Sequence, residues 1–327
     1  MKLNFWIFAS LTLLLVDAEP MFPAIPKDES QLCLTIEDCP QTRGKLSHIC
    51  DIPYGELEGV VLFSQPNSSD IGLFCYPNMA NVQTMADLLQ VEVYAYDYSG
   101  FGCSRGTPGE KNAYADVRAA YDLIRAEQPE KKIVLIGFSI GTAVSTDLAA
   151  RHPDALAGVA LICPFASGLR LLKGAPQAPE TRFCDVFPTY DKIQRVGVPV
   201  LFLHGTRDQT CPISHSHALH KMLPSSAQPS NPVCVVEGAG HADILSSRYP
   251  ETFAALWLFI HVQVGPDTTS ERQTVVSKVS RPSLYMHLLN VFAEGAQKAR
   301  RSGDANAANG SSQKTSSSSG SPQEEAA

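Results

Sequence analysis

The stretch KKIVLIGFSIGTAVSTDLAA, Lys131 to Ala150, constrains the fold more than any other part of the chain. A β-branched run ends at Gly137 and a helical pattern begins just after Ser139, so the segment reads as strand, sharp turn, helix. Ser139 is the centre of Gly137-Phe138-Ser139-Ile140-Gly141. A side chain at either glycine would collide with a backbone folded tightly enough to push the serine hydroxyl outward. That arrangement is a nucleophile elbow. The same string also occurs as a glycine-rich loop carrying a solvated serine, and the strand before it and the helix after it are what favour the elbow.

Between about Lys45 and Val262 apolar extended runs alternate with helical patterns, the signature of a mostly parallel sheet covered by helices on both faces. Strands are expected at 60–64, 71–75, 91–97, 133–136, 156–162, 198–203 and 233–236, and helices at 79–89, 112–127, 140–151, 214–222 and 251–262. With 327 residues, 44% of them hydrophobic, the chain has material for one large core with tails. The expected class is α/β, an α/β-hydrolase fold. The stretch from Pro164 to Val196 is too short for a large cap domain. A net charge of −7 with no lysine- or arginine-rich block gives no electrostatic reason to expect nucleic-acid binding.

A serine hydroxyl is a poor nucleophile until its proton has somewhere to go, so the elbow needs a base and an acid that orients it. In this fold both follow later strands, acid first. After VPVLFLH comes Gly205-Thr206-Arg207-Asp208, and after VCVVE comes Gly238-Ala239-Gly240-His241. Asp208 and His241 are therefore the expected acid and base. Asp185 and Asp191 compete for the first role, but neither follows a clear strand and Asp191 reads as a helix start. His204 ends a buried run and reads as structural. His215, His217 and His220 read as a solvated helix face, since no carboxylate or thiolate cluster completes a metal set. No metal or cofactor is expected. The oxyanion donors are expected to be the backbone N–H of Ile140 and that of Asn78, in the loop Tyr76-Pro77-Asn78-Met79 after IGLFC, although Pro77 removes one donor from that loop. Phe165, Leu169, Leu171 and Leu172 are candidates to line an acyl groove, with ordinary core packing as the alternative.

The ends of the chain read differently from its core. Residues 1–18 place one lysine ahead of an apolar run from Phe5 to Val16 and small residues at Val16-Asp17-Ala18, which reads as a signal peptide. An uncleaved anchor is the second reading, the run being shorter than the roughly 20 residues a spanning helix needs. Residues 19–44 hold Cys33 and Cys39, which with Cys50 could be paired, acylated or free. Nine cysteines are an odd count in a chain too large to be a disulfide scaffold, and Cys75, Cys163 and Cys234 sit in apolar runs as expected of buried thiols. Asn67-Ser68-Ser69 and Asn309-Gly310-Ser311 are glycan acceptors only if the chain is exported. The core is expected at 45–265. Residues 266–300 form a linker with an amphipathic helix that packs on the domain or lies against lipid, and 301–327 are expected to be disordered.

Five ordered blocks point further: Asp97-Tyr98-Ser99-Gly100-Phe101-Gly102-Cys103-Ser104-Arg105-Gly106, then GFSIGT, CDVFPTYDKI, HGTRD and EGAGHAD. Together, over about Leu73 to Ile260, they resemble the alpha/beta-hydrolase domain-containing protein 17 family. The resemblance implies a membrane-bound serine hydrolase that removes palmitate from cysteines of peripheral proteins such as Ras-type GTPases and synaptic scaffolds, with Ser139 as nucleophile, Asp208 as acid and His241 as base. It also implies attachment to the cytosolic leaflet through an N-terminal cysteine cluster. This chain has a hydrophobic leader there instead, and that leader points to the secretory pathway. Family members usually have His-Gly-Asn in the oxyanion loop. Three functions follow as expectations: a thioesterase acting on S-acylated protein cysteines, an exported carboxylesterase or lipase acting on lipid or small esters, and a binding protein that keeps the fold without activity.

Overall fold

In the computed structural model the described residues are 49–52, 59–67, 69–71, 81–102, 104–178, 181, 183–228, 233–264, 284 and 286–293. Seven strands form one sheet in the order β1-β3-β2-β4-β5-β6-β7. They are β1 (Ile49–Ile52), β2 (Gly59–Ser64), β3 (Glu92–Tyr96), β4 (Lys132–Phe138), β5 (Leu156–Ile162), β6 (Val200–Gly205) and β7 (Cys234–Val236). β1 runs antiparallel to β3, and β2 to β7 are mutually parallel. The helices are α1 (Val82–Leu89), α2 (Glu110–Glu127), α3 (Ile140–Ala149), α4 (Gly168–Leu172), α5 (Thr189–Lys192), α6 (Ser214–Met222) and α7 (Pro250–Leu258), the last continuing as a π-helical segment, Phe259–Val264.

The parallel strands read as continuous apolar runs because both faces are covered, and the two-residue period sorts their side chains into two cores. Val61 and Phe63 of β2 and Val134, Ile136 and Phe138 of β4 pack on one face with α1 and α7. Val60, Leu62, Ile133 and Leu135 pack on the other, with α2, α3 and the segment after β5. Each such buried aliphatic contributes about 1.5–3 kcal/mol, so neither face could be left open to water. Asn81 caps α1 through Oδ1, which accepts the Thr84 N–H at 2.7 Å, and Gln90 ends it in the left-handed region at φ 52°.

Of the strand expected at 71–75 only Ile71, in a helical turn, is among the described residues. The strand beside β4 is β2, with Ser64 in register with Gly137. β1 was not legible, being a four-residue edge strand. Residues 286–293 are helical. Leu284 and Leu288 are buried against α7, Phe292 meets Phe253 edge-on at 5.4 Å, and His287 Nε2 donates to the Asp87 carbonyl at 3.1 Å. Of the two readings for this segment, packing on the domain is therefore the one observed. Residues 1–48, which include Cys33 and Cys39, and residues 294–327 lie outside the described residues. No helix among the described residues is long and apolar enough to cross a membrane.

Candidate active site

The elbow is built from β4, one strained residue and α3. Ser139 sits at φ 54°, ψ −117°, a conformation non-glycine residues adopt only when their surroundings enforce it. Its N–H is held by the Ile162 carbonyl at 2.9 Å. A Cβ on Gly137 would lie 2.4 Å from the Gly141 carbonyl oxygen, and one on Gly141 would lie 2.0 Å from that of Ser64. Both glycines are thus required by the close approach of three backbone segments, the third being the end of β2. Ile140 is the first residue of α3, so its N–H has no carbonyl within the helix to bond.

Asp208 follows β6. Its Oδ1 accepts the N–H groups of Thr210 at 2.9 Å and Cys211 at 2.8 Å. Its Oδ2 lies 2.7 Å from His241 Nδ1 and 3.3 Å from His204 Nε2. Burial alone would raise the Asp208 carboxyl, but hydrogen bonds from His204 and His241, the charge of His241 and the Cys211 N–H together hold it well below the usual carboxylate range. An ionised carboxylate only accepts, so His241 Nδ1 carries the hydrogen and Nε2 is left as an acceptor facing Ser139 Oγ at 2.9 Å.

The loop that carries His241 is pinned at several points. Gly238 turns at φ 79° and its carbonyl accepts from Tyr249 Oη at 2.7 Å. The Gly240 N–H donates to Asp243 Oδ1 at 2.7 Å, and the Arg207 N–H to the Ala239 carbonyl at 2.9 Å. The imidazole lies against Phe138, with ring centroids 5.4 Å apart. Ser139, His241 and Asp208 are all more than 90% buried.

The structure thus brings Ser139, Asp208 and His241 together from three separate loops. Asp185 and Asp191 are elsewhere, both beside the buried Arg170, and Asp185 also accepts from Ser167. His204 is structural in its own right: Nε2 donates to the Cys211 carbonyl at 2.6 Å, so Nδ1 is the acceptor for Ser216 Oγ at 2.7 Å. His215 is not on a solvated face. It is 1% exposed and Nδ1 accepts the Ala166 N–H at 3.1 Å, because α6 turns that side onto the segment after β5. Burial, followed by the nearby His204, lowers its imidazole to about 4.

Sequence reasoning gave Cys163 no place at the site. It follows β5 in the left-handed region at φ 50°, and its thiol lies with Asp208 and His241 in a group whose donor atoms are within 4.8 Å of one another. Burial, then the charge of Asp208, pushes that thiol well above its ordinary value, and it stays protonated. This is the only grouping of three metal-ligating side chains among the described residues.

Asn78 lies outside the described residues. The loop that leaves β2 toward the elbow is Gln65-Pro66-Asn67. Asn67 and Ile140 line one shallow depression with Tyr98, Ser99, Phe101, Gly109 and Ala113. Asn67 is 6% exposed, which leaves no room for a glycan in the folded chain. Phe165, Leu169 and Leu172 do not line that depression. Phe165 packs on Phe187, the Leu169 N–H bonds Asp185, and Leu172 is 40% exposed; Leu171 packs at the edge of the core.

A family model described as Hydrolase_4, serine aminopeptidase, S33, matches residues 81–182. The alpha/beta hydrolase domain-containing protein aho-3 of Caenorhabditis elegans is 40% identical over 196 residues, 57% of each chain. Alpha/beta hydrolase domain-containing protein 17C of Homo sapiens is 36% identical over 237 residues, 71% of this chain and 64% of that protein. The chain therefore spans less than two thirds of the length of these relatives. Among solved structures, an esterase from Thermogutta terrifontis aligns with TM-score 0.50 at 19% identity, covering 67% of this chain and 94% of its own. The Pyrococcus furiosus esterase Pf2001 aligns with TM-score 0.50 at 15% identity, covering 62% of this chain and 82% of its own. At such identities the likeness speaks for the α/β-hydrolase fold alone.

Proposed function

From the premise that the chain is a serine-hydrolase-like α/β-hydrolase whose curated homologues are alpha/beta-hydrolase domain-containing proteins of the 17 family, we propose that it hydrolyses acyl thioesters, removing long acyl chains from protein cysteines. The observation that carries this reading is the hydrogen-bonded chain Ser139 Oγ, His241 Nε2, His241 Nδ1 and Asp208 Oδ2, with spacings of 2.9 and 2.7 Å.

Ser139 Oγ attacks the thioester carbonyl carbon while His241 Nε2 takes its proton, and Asp208 stabilises the imidazolium. The oxyanion is held by the Ile140 N–H and by a second backbone N–H from the loop after β2; that Asn67 lines the same depression as Ile140 supports Asn67 as its source. Collapse of the tetrahedral adduct breaks the C–S bond. The sulfur leaves with the proton from His241, and water, activated by the same imidazole, cleaves the acyl-serine to the free acid. A cysteine thiol, with a pKa of about 8.5, leaves more readily than an alkoxide, which suits a site whose second donor loop contains Pro66. Tyr98, Phe101, Ala113 and Ile140 present apolar surface in the depression that Ile140 shares with Asn67, and Phe165, Leu169 and Leu172 are not part of it. The proposed site of action is a membrane surface, where acylated proteins reside; the motif resemblance supports it, whereas the apolar leader of residues 1–18 favours the second reading, an exported esterase or lipase.

The test compares S-palmitoyl peptide with a matched oxygen ester and adds labelling by a fluorophosphonate probe. Wild-type protein should label and should prefer the thioester, and Ser139→Ala should abolish both labelling and turnover. A preference for the oxygen ester would turn the reading to a carboxylesterase or lipase. A folded wild-type protein that does not label would make it a binding protein.

A further inference from the structure

The block Asp97 to Gly106 carries much of the motif resemblance, yet none of its described side chains joins the relay between Ser139 and Asp208. Its contacts run the other way, into the loop that leaves β2. Asp97 Oδ1 accepts from Gln65 Nε2 at 2.9 Å and from the Ile71 N–H at 2.8 Å, tying both ends of the 65–71 segment to one carboxylate oxygen. Tyr98 Oη donates to the Gln65 carbonyl at 2.9 Å, and burial keeps that phenol protonated by pushing it well above its ordinary value. Gln65 is 1% exposed, and the bond from its Nε2 to Asp97 offsets part of the cost of burying its amide, whose Oε1 has no hydrogen-bond partner among the described residues.

The block is itself anchored to its surroundings. Ser99 gives its N–H and Oγ–H to Asp116 of α2 at 2.7 and 2.8 Å, and Ser104 Oγ donates to the Asp97 carbonyl at 2.9 Å. Gly102 turns at φ 51°, and a Cβ there would sit 2.4 Å from Asp97 Oδ2, so glycine is what allows the turn to close over the carboxylate.

We propose that Asp97, assisted by Tyr98, is the positioning residue of the oxyanion hole, clamping Gln65-Pro66-Asn67 so that a backbone N–H of that loop faces the substrate carbonyl oxygen. The proposal rests on the hydrolase reading above. A backbone donor stabilises developing charge only where it is already in place, and a misplacement of about 1 Å costs on the order of 100-fold. Pro66 supplies no N–H, which leaves few donors in the loop and makes the placement of the remaining ones decisive. The Gln65 side chain is committed to Asp97 rather than to substrate.

The experiment uses the full chain with p-nitrophenyl acetate as the probe and a melting curve for each variant. Asp97→Ala should lower kcat about 10- to 100-fold, leave KM within about twofold, and leave the acid limb of the pH–rate profile where it is, since His241 and Asp208 are untouched. Asp97→Asn keeps an acceptor oxygen for the Ile71 N–H and Gln65 Nε2 and should recover most of the loss. An unchanged kcat in folded Asp97→Ala, or a loss confined to KM, overturns the proposal. Should Asp97→Ala fail to fold, Tyr98→Phe, which deletes one hydroxyl, should lower kcat about 3- to 10-fold, and an unchanged kcat there overturns it equally. Wild-type protein that neither labels with fluorophosphonate nor turns over the ester refutes the hydrolase reading itself, and this proposal with it.

Discussion

Replacing Asp208 by asparagine should remove the function of His241 without moving it. The new amide side chain has one acceptor and one donor end, and its orientation is already decided: the Thr210 and Cys211 N–H groups stand at 2.9 and 2.8 Å from Oδ1, and an amino group turned toward them would leave two donors unpaired at about 1–3 kcal/mol each. The amino group therefore takes the Oδ2 place, 2.7 Å from His241 Nδ1. His204 tolerates the change because its Nε2–H keeps the Cys211 carbonyl. His241 does not. It must offer a bare Nδ1, which puts its hydrogen on Nε2, facing Ser139 Oγ, where a lone pair is needed. The expected loss in kcat is about 10³- to 10⁴-fold, or roughly 4–5 kcal/mol, as for other hydrolases in which the wrong imidazole tautomer is fixed. Steady-state turnover of a chromogenic ester, with a melting curve to show that the fold persists, is the assay. A folded Asp208→Asn protein that retains more than about a thirtieth of wild-type kcat would refute the tautomer argument.

Gly141→Ala would place a methyl group 2.0 Å from the Ser64 carbonyl oxygen, a contact that only backbone movement relieves, and the variant should lose at least about 3 kcal/mol of stability or fail to accumulate as soluble protein. Gly109→Ala, where nothing lies within 4 Å of the new atom, should stay within about 1 kcal/mol of wild type in urea melts. His215 titrates at about 4 in the fold against an ordinary 6.5. Between those values the unfolded chain takes up a proton that the folded chain does not, so stability present above pH 6.5 is lost as pH falls toward 4, by up to about 3 kcal/mol. Urea midpoints from pH 7 to pH 4 should show this slope, and His215→Asn, whose Oδ1 can still accept the Ala166 N–H, should flatten it.

Legibility in the sequence followed the range of the interaction. The elbow was readable because its requirements are local: two glycines, one serine and a change of period from 2 to 3.6 within ten residues. Asp208 and His241 were readable because each follows a strand across a short glycine-bearing loop. The loop proposed to hold the oxyanion was a harder case, since Leu62-Phe63-Ser64-Gln65-Pro66-Asn67 and Leu73-Phe74-Cys75-Tyr76-Pro77-Asn78 look almost alike as strings. What abuts the elbow depends on which strand pairs with β4, and pairing is a tertiary fact; Ser64 stands opposite Gly137, while the second string lies outside the described residues. His215 was misread for a related reason. Its helix shows only a weak apolar stripe, and what buries it is the backbone of residue 166, nearly fifty positions away.

Cys163 shows why strand order shapes the chemistry as much as residue type does. β5 lies between the elbow strand and β6, so whatever ends β5 stands between the nucleophile turn and Asp208. Its backbone position is fixed from both sides: the Ser139 N–H reaches the Ile162 carbonyl and the Cys163 N–H reaches the Leu203 carbonyl, each at 2.9 Å. A carboxylate in that place would repel Asp208 and compete for His241, while a large apolar side chain would crowd the closely spaced Asp208 and His241 side chains. A small protonated thiol does neither. It fills the gap and, staying neutral, adds no second charge beside Asp208 and His241.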